Sequence, residues 1–171
     1  ELERIESQSM RQAVVDIWLR VWQESLWERL EDCPYNPVAP QVSLVAHTNQ
    51  VTAGALALAE QFQRYVGGSV RWDTLRVAAL LHDVSKLVEY EPADTGCRKS
   101  RLGRSYQHGF YGAHLAQQAG LPMDVVAMII NHTGDSRVVP DTPEGLCLYY
   151  ADMCAADSAR LLAGAALLLR K

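Results

Sequence analysis

A chain of 171 residues is long enough for one well-packed domain and short for two, and with 49% hydrophobic and 21% charged residues it lies well outside the disordered range. Its formal net charge of −4 gives no general attraction to duplex nucleic acid or an anionic membrane, which are bound largely through Lys and Arg. The four cysteines (Cys33, Cys97, Cys147, Cys154) form no CxxC pair, against a zinc knuckle or redox dithiol, and no apolar run nears the roughly 20 residues that span a bilayer, so the expectation is a reduced, soluble, cytoplasmic protein with no signal peptide.

Apolar residues recur at helical steps almost throughout. Met10, Val14, Ile17, Val21 and Trp22 predict a first amphipathic helix to about Leu30, ended by "DCPYNPVAP", whose three prolines cannot continue it. Trp18, Trp22 and Trp27 partly share a face of this helix, which either completes the core or offers a surface for a homodimer. Residues 1–40 are read as this helix and its Pro-rich connection, and 41–171 as the main domain.

Ser43 is the expected N-cap of a second helix carrying Val45, Val51, Leu56, Leu58 and Phe62 and stopped by Gly67-Gly68. A third, capped by Asp73 or Thr74, is predicted to run through Val77, Leu80 and Leu81 and past "LLHDVSK". "EPADTGCRKSRLGRS" reads as a long loop, of the kind that in a compact domain is usually functional or disordered. A fourth helix follows over about Gln107 to Ala119, closed by Gly120, and a fifth over about Met123 to His132. After the turn-rich "TGDSRVVPDT", a last helix starts near Thr142-Pro143-Glu144, with Pro at its first position. Nothing alternates strongly enough to predict a strand. The fold class is all-α, a compact single-domain helical bundle.

All five histidines, His47, His82, His108, His114 and His132, sit within or beside apolar helical segments, as do Asp83 and Asp152. A buried carboxylate without a partner costs several kcal/mol, so these acids need a cation, a hydrogen-bond network or a shifted pKa. A divalent metal would satisfy imidazoles and carboxylates together, and bundle helices can aim such side chains at one interior point. Adjacent His82 and Asp83 project about 100° apart on a helix, so both reach one centre only from an edge facing it. His114, about 240° round the helix from His108, is set apart and expected at the surface. Tyr149 and Tyr150 read as core. Arg98, Lys99, Arg101 and Arg104 place four of the sixteen basic residues within seven positions, a lid or phosphate clamp in the making, with Arg137 a further candidate.

The order His47, His82-Asp83, Asp152 on predicted helices resembles the HD-domain superfamily of metal-dependent phosphohydrolases, with its signature H…HD…D. His108 in "HGFYGA" and His132 in "IINHTGD" match the additional ligands of its two-metal branch, and "HDVSK" resembles that branch's HDxxK form. The resemblance spans about residues 43 to 160 and implies an HD-type bundle over 41–171. It also implies two divalent ions, iron or manganese foremost, with nickel, cobalt, zinc and magnesium compatible. His47, His82, Asp83 and Asp152 would hold one ion, and Asp83, His108 and His132 the other, Asp83 bridging. Lys86 would meet a phosphate oxygen beside the catalytic Asp83. The implied substrate is a small anionic phosphoester or phosphoanhydride, a nucleotide foremost. The same ligands resemble those of di-iron HD oxygenases that cleave C–P or C–C bonds, and a non-catalytic nucleotide-binding HD domain is a third reading.

Overall fold

The computed structural model describes every residue except 95, 134, 135, 170 and 171. The Gly134-Asp135 end of "IINHTGD" therefore lies outside the described residues. Helix α1 (Gln8–Glu24) starts where Ser7 Oγ accepts from Met10 N, and stops at Ser25, short of Leu30, because Ser25 turns its N–H and its hydroxyl back onto Trp22 O. Asp73, expected to cap the third helix, instead reaches across and accepts from Glu6 N at 3.0 Å and Ser7 N at 2.8 Å. That helix, α3 (Trp72–Leu81), has Arg71 at its N-cap.

Val14, Ile17 and Val21 bury the apolar stripe of α1 in the main core. The indole N–H groups of Trp18 and Trp27 donate to Leu80 O and Tyr90 O, which fastens residues 1–40 to the rest of the bundle, while that of Trp22 donates within the segment to Trp27 O.

Helix α2 (Leu44–Val66) takes its cap from Ser43, which accepts from Ala46 N. Along it lies the final helix, which begins at Pro143 and ends at Leu162. A Cβ added at Gly54 would sit 3.4 Å from Ala151 Cβ, so small residues set this close approach. Leu44, Val51, Leu75, Val77, Leu81, Leu115, Ile129 and Leu148 fill the interior between these helices. Glu144, buried, accepts from Arg71 N and from its guanidinium, and so ties the start of the last helix to the start of α3.

The predicted loop after the HD motif is more ordered than its sequence implies. Strands β1 (Tyr90–Pro92) and β2 (Cys97–Lys99) pair antiparallel, with Glu91 opposite Arg98 and joined to it at 2.8 Å. Helix α4 (Lys86–Glu89) precedes them, and α5 (Arg101–Ser105), capped by Ser100, follows. Elements of three to five residues carry too few repeats for periodicity to register. Helices α6 (Phe110–Gln118) and α7 (Met123–Asn131) complete the bundle, with the Pro143–Leu162 helix as α8. Helix α6 starts three residues later than predicted because Gly109, at φ 81°, breaks the chain direction after His108.

Candidate metal centre

Helix α3 does not continue through "HDVSK". Val84 N, Lys86 N and Leu87 N bond to the carbonyls of Leu81, Asp83 and Val84, an i→i−3 pattern that tightens the chain into successive turns before α4. His82 and Asp83 thus project from a turn at the end of a buried helix.

Five chain segments converge there: His47 from α2, His82-Asp83 from the turn, His108 just before α6, His132 just after α7, and Asp152 from α8. His47 Nε2 lies 3.0 Å from Asp152 Oδ1 and 3.2 Å from Asp83 Oδ2, and His82 Nε2 lies 3.4 Å from Asp83 Oδ2. On the other side, His108 Nε2 and His132 Nε2 lie 2.8 and 3.4 Å from Asp83 Oδ1. The result is two groups whose ligand atoms lie within 4.8 Å of one another, His47, His82, Asp83 and Asp152 in one and Asp83, His108 and His132 in the other. Asp83 belongs to both and gives one oxygen to each.

The donor chemistry fits a cation. Nδ1 of His82 lies 2.7 Å from Ala79 O, and Nδ1 of His132 lies 2.7 Å from Ile129 O; each therefore donates, which assigns the lone pair to Nε2. Those lone pairs face carboxylate oxygens that are also acceptors. His82 Nε2 is fully buried with no hydrogen-bond partner among the described residues. Acceptors confronting acceptors in a closed interior are resolved by a proton or a metal ion, and this set suits a divalent transition metal.

The charges respond accordingly. Burial pulls the His108 imidazole down, but its hydrogen bonds with Asp83 and Glu89 outweigh this and push it up to about 9. Burial lowers His132 below its ordinary value, leaving it neutral. For Asp152, burial raises the carboxyl, yet the hydrogen bond with His47 and the nearby imidazoles win and hold it at about 2. Lys86 Nζ lies 2.7 Å from Asp83 Oδ2 and 5.0 Å from the centre of the Tyr35 ring; burial disfavours its charge, but Asp83 and Asp152 keep its pKa above the usual lysine value.

The group opens on a cavity of about 1000 Å³, lined by Lys86, His108, His132 and Asp152 together with Tyr35, Tyr90, Tyr106, Lys99 and Arg160. Tyr149 and Tyr150, read from sequence as core, also line it, and Tyr150 is largely exposed. Of the basic run, Lys99 alone lies among the lining residues. Arg98 is paired with Glu91, Arg104 donates to Lys99 O, and both, like Arg101, are exposed. Arg137 is exposed and lies outside the lining, as does exposed His114.

Three contributors carry no sequence signal that singles them out. Tyr35, in the Pro-rich connection, stacks on His47 with ring centres 4.4 Å apart and bonds Ala156 O. Arg160 lies eight residues past Asp152 on α8 and lines the same cavity. Glu89 holds His108 Nδ1 at 2.7 Å.

Gly109 controls the geometry of two candidate ligands. Beyond its positive φ, an added Cβ would stand 2.7 Å from Ile129 O, the carbonyl that orients His132. Gly109→Ala is expected to destabilise the protein by about 1–3 kcal/mol and to weaken metal uptake at the Asp83, His108 and His132 group, as measured by thermal unfolding and metal titration.

A protein-family model described as HD domain matches residues 44–157. The chain is 28% identical over 110 residues to a Methanocaldococcus jannaschii protein named dihydroneopterin 2',3'-cyclic phosphate phosphodiesterase; the match covers 64% of this chain and 44% of that protein. The chain thus spans less than half the length of that relative. No solved structure matches significantly.

Proposed function

The chain belongs to the HD-domain family, and we propose that it is a metal-dependent phosphohydrolase that cleaves a small phosphoester, a nucleotide or related cyclic phosphodiester foremost. One observation carries the reading: two overlapping His and Asp groups share Asp83 and open on a cavity that also holds a buried lysine. The name of the archaeal relative supports phosphoester cleavage as the reaction class.

His47, His82, Asp83 and Asp152 would hold one divalent ion, and Asp83, His108 and His132 a second. Bound there, such ions supply Lewis acidity and a water of lowered pKa at neutral pH. The remaining work falls to the chain. Lys86, buried and charged at the cavity wall, opposes negative charge that grows on the phosphoryl oxygens. Tyr35 closes one side of His47 against solvent. The tyrosines of the cavity give the organic part of the substrate flat apolar surface, and Lys99 and Arg160 offer it positive charge.

Lys86→Gln is expected to lower kcat for phosphate release by about 10²-fold while both ions stay bound; metal loss in this variant would show that the lysine supports the ligands instead. The reading as a whole is tested by metal analysis of the purified protein, a screen of phosphomonoesters, nucleotides and 2',3'-cyclic phosphates under anaerobic conditions, and oxygen-uptake assays in air with organophosphonates and polyols. Metal-dependent phosphate release supports it. Oxygen consumption with C–P or C–C cleavage and no phosphoester turnover would replace it with the oxygenase, and nucleotide binding without metal or turnover would leave a binding domain.

A further inference from the structure

We propose that Glu89, braced by Ser85, is a positioning residue that holds His108 for the second ion, so that occupancy of the Asp83, His108 and His132 group depends on it. This rests on the two-ion reading above. The three ligand histidines with a bonded Nδ1 are held in different ways. His82 and His132 bond to main-chain carbonyls three residues back, within the turns that carry them. His108 lies outside α6, and its Nδ1 donates to Glu89 Oε2 at 2.7 Å. Its side chain is also the most exposed of the six, at 28% against 13% for Asp152 and 1% or less for the rest. Its Nδ1 takes a side-chain carboxylate where His82 and His132 take main-chain carbonyls, so its orientation follows Glu89.

Glu89 is itself immobilised. Its Oε1 accepts from Ser85 Oγ at 2.6 Å, and Ser85 is fully buried. The backbone of Glu89 is clamped by the short elements that follow: Ser100 N donates to Glu89 O at 2.8 Å, and a Cβ at Gly103 would come within 2.3 Å of that oxygen. The β1–β2 hairpin and α5 thus press on the residue that aims His108. A carboxylate acceptor keeps the Nδ1 proton in place, so that when the Nε2 proton leaves, the lone pair it exposes faces Asp83. It also makes that nitrogen more basic than a carbonyl acceptor would, and changing such a partner typically costs about 10- to 100-fold in metal affinity.

The test is titration of metal-free protein with Mn²⁺, read by calorimetry and by metal content after gel filtration. Wild type is expected to take two ions per chain. Glu89→Gln, which keeps the shape, weakens one of them by about 10- to 100-fold and leaves the other unchanged; Glu89→Ala acts in the same direction and further, and Ser85→Ala by less. His108→Ala retains one ion, and adding Glu89→Gln to it changes nothing more. Wild-type affinities at both sites in Glu89→Gln, equal weakening of both, or a Glu89→Gln effect that persists without His108 would each overturn the proposal. If wild type takes fewer than two ions, the two-ion reading fails first, and the proposal falls with it.

Discussion

Asp83→Ala protein is expected to purify without either ion and to release phosphate more than about 10³-fold more slowly than wild type. No other single substitution should do both. Asp83 Oδ2 faces His47 and His82, and Oδ1 faces His108 and His132, so its loss removes a ligand from each group at once. His108→Ala, in contrast, leaves His47, His82, Asp83 and Asp152 together. The variant has a second consequence, because Asp83 is the counter-charge of buried Lys86. Stranding one member of a buried pair costs about 3–5 kcal/mol, and an unfolded variant would also hold no metal. Asp83→Ala combined with Lys86→Met separates the two effects by removing both charges. Recovered thermal stability with metal still absent is the expected result. Full metal content in folded Asp83→Ala would rule Asp83 out as the shared ligand.

The six candidate ligands were legible because ligand chemistry places costly side chains in apolar helices, and that conflict shows in a linear pattern. The helix bounds were less legible where side chains far apart in sequence decide them. Asp73 looks like a local cap, yet it serves the start of α1 from another helix. "HDVSK" continues an apolar helical spacing, but the main chain tightens there to i→i−3 bonds, and periodicity cannot register one extra twist. The basic run was legible only in part: a cluster of like charge shows attraction for anions in principle, while direction depends on the fold. Arg98 is spent on Glu91, and Lys99 alone turns to the cavity. Tyr35 and Glu89 were invisible because each touches a candidate ligand and is not one itself.

Metal removal is expected to abolish phosphate release and to lower Tm, and the Tm gap should widen as pH rises from about 6.5 to 9. An ion present at 100 times its Kd stabilises the folded state by about 2.7 kcal/mol. In a protein of this size that corresponds to roughly 5–11 °C in Tm for each ion. The pH dependence follows from the proton that an ion must displace. Without metal, His108 is pushed up to about 9 by Asp83 and Glu89 against the pull of burial. A folded pKa raised above the unfolded value contributes stability that is full below about 6.5 and is lost as pH climbs through about 9. The metal-free protein therefore weakens across that window. The metal-bound protein has already given up the proton and gains from its absence, since the ion no longer competes for Nε2. At the acid end Asp152, held at about 2, gives stability that is present above about 4 and lost only as pH falls toward 2. Near pH 5 Asp152 still supports the fold, His132, whose charge burial disfavours, weakens it as pH falls below about 6.5, and protonated imidazoles release the ions. Unfolding scans with and without chelator at pH 5, 6.5, 8 and 9 measure both effects, and a gap that stays constant or narrows toward pH 9 would contradict proton displacement at His108.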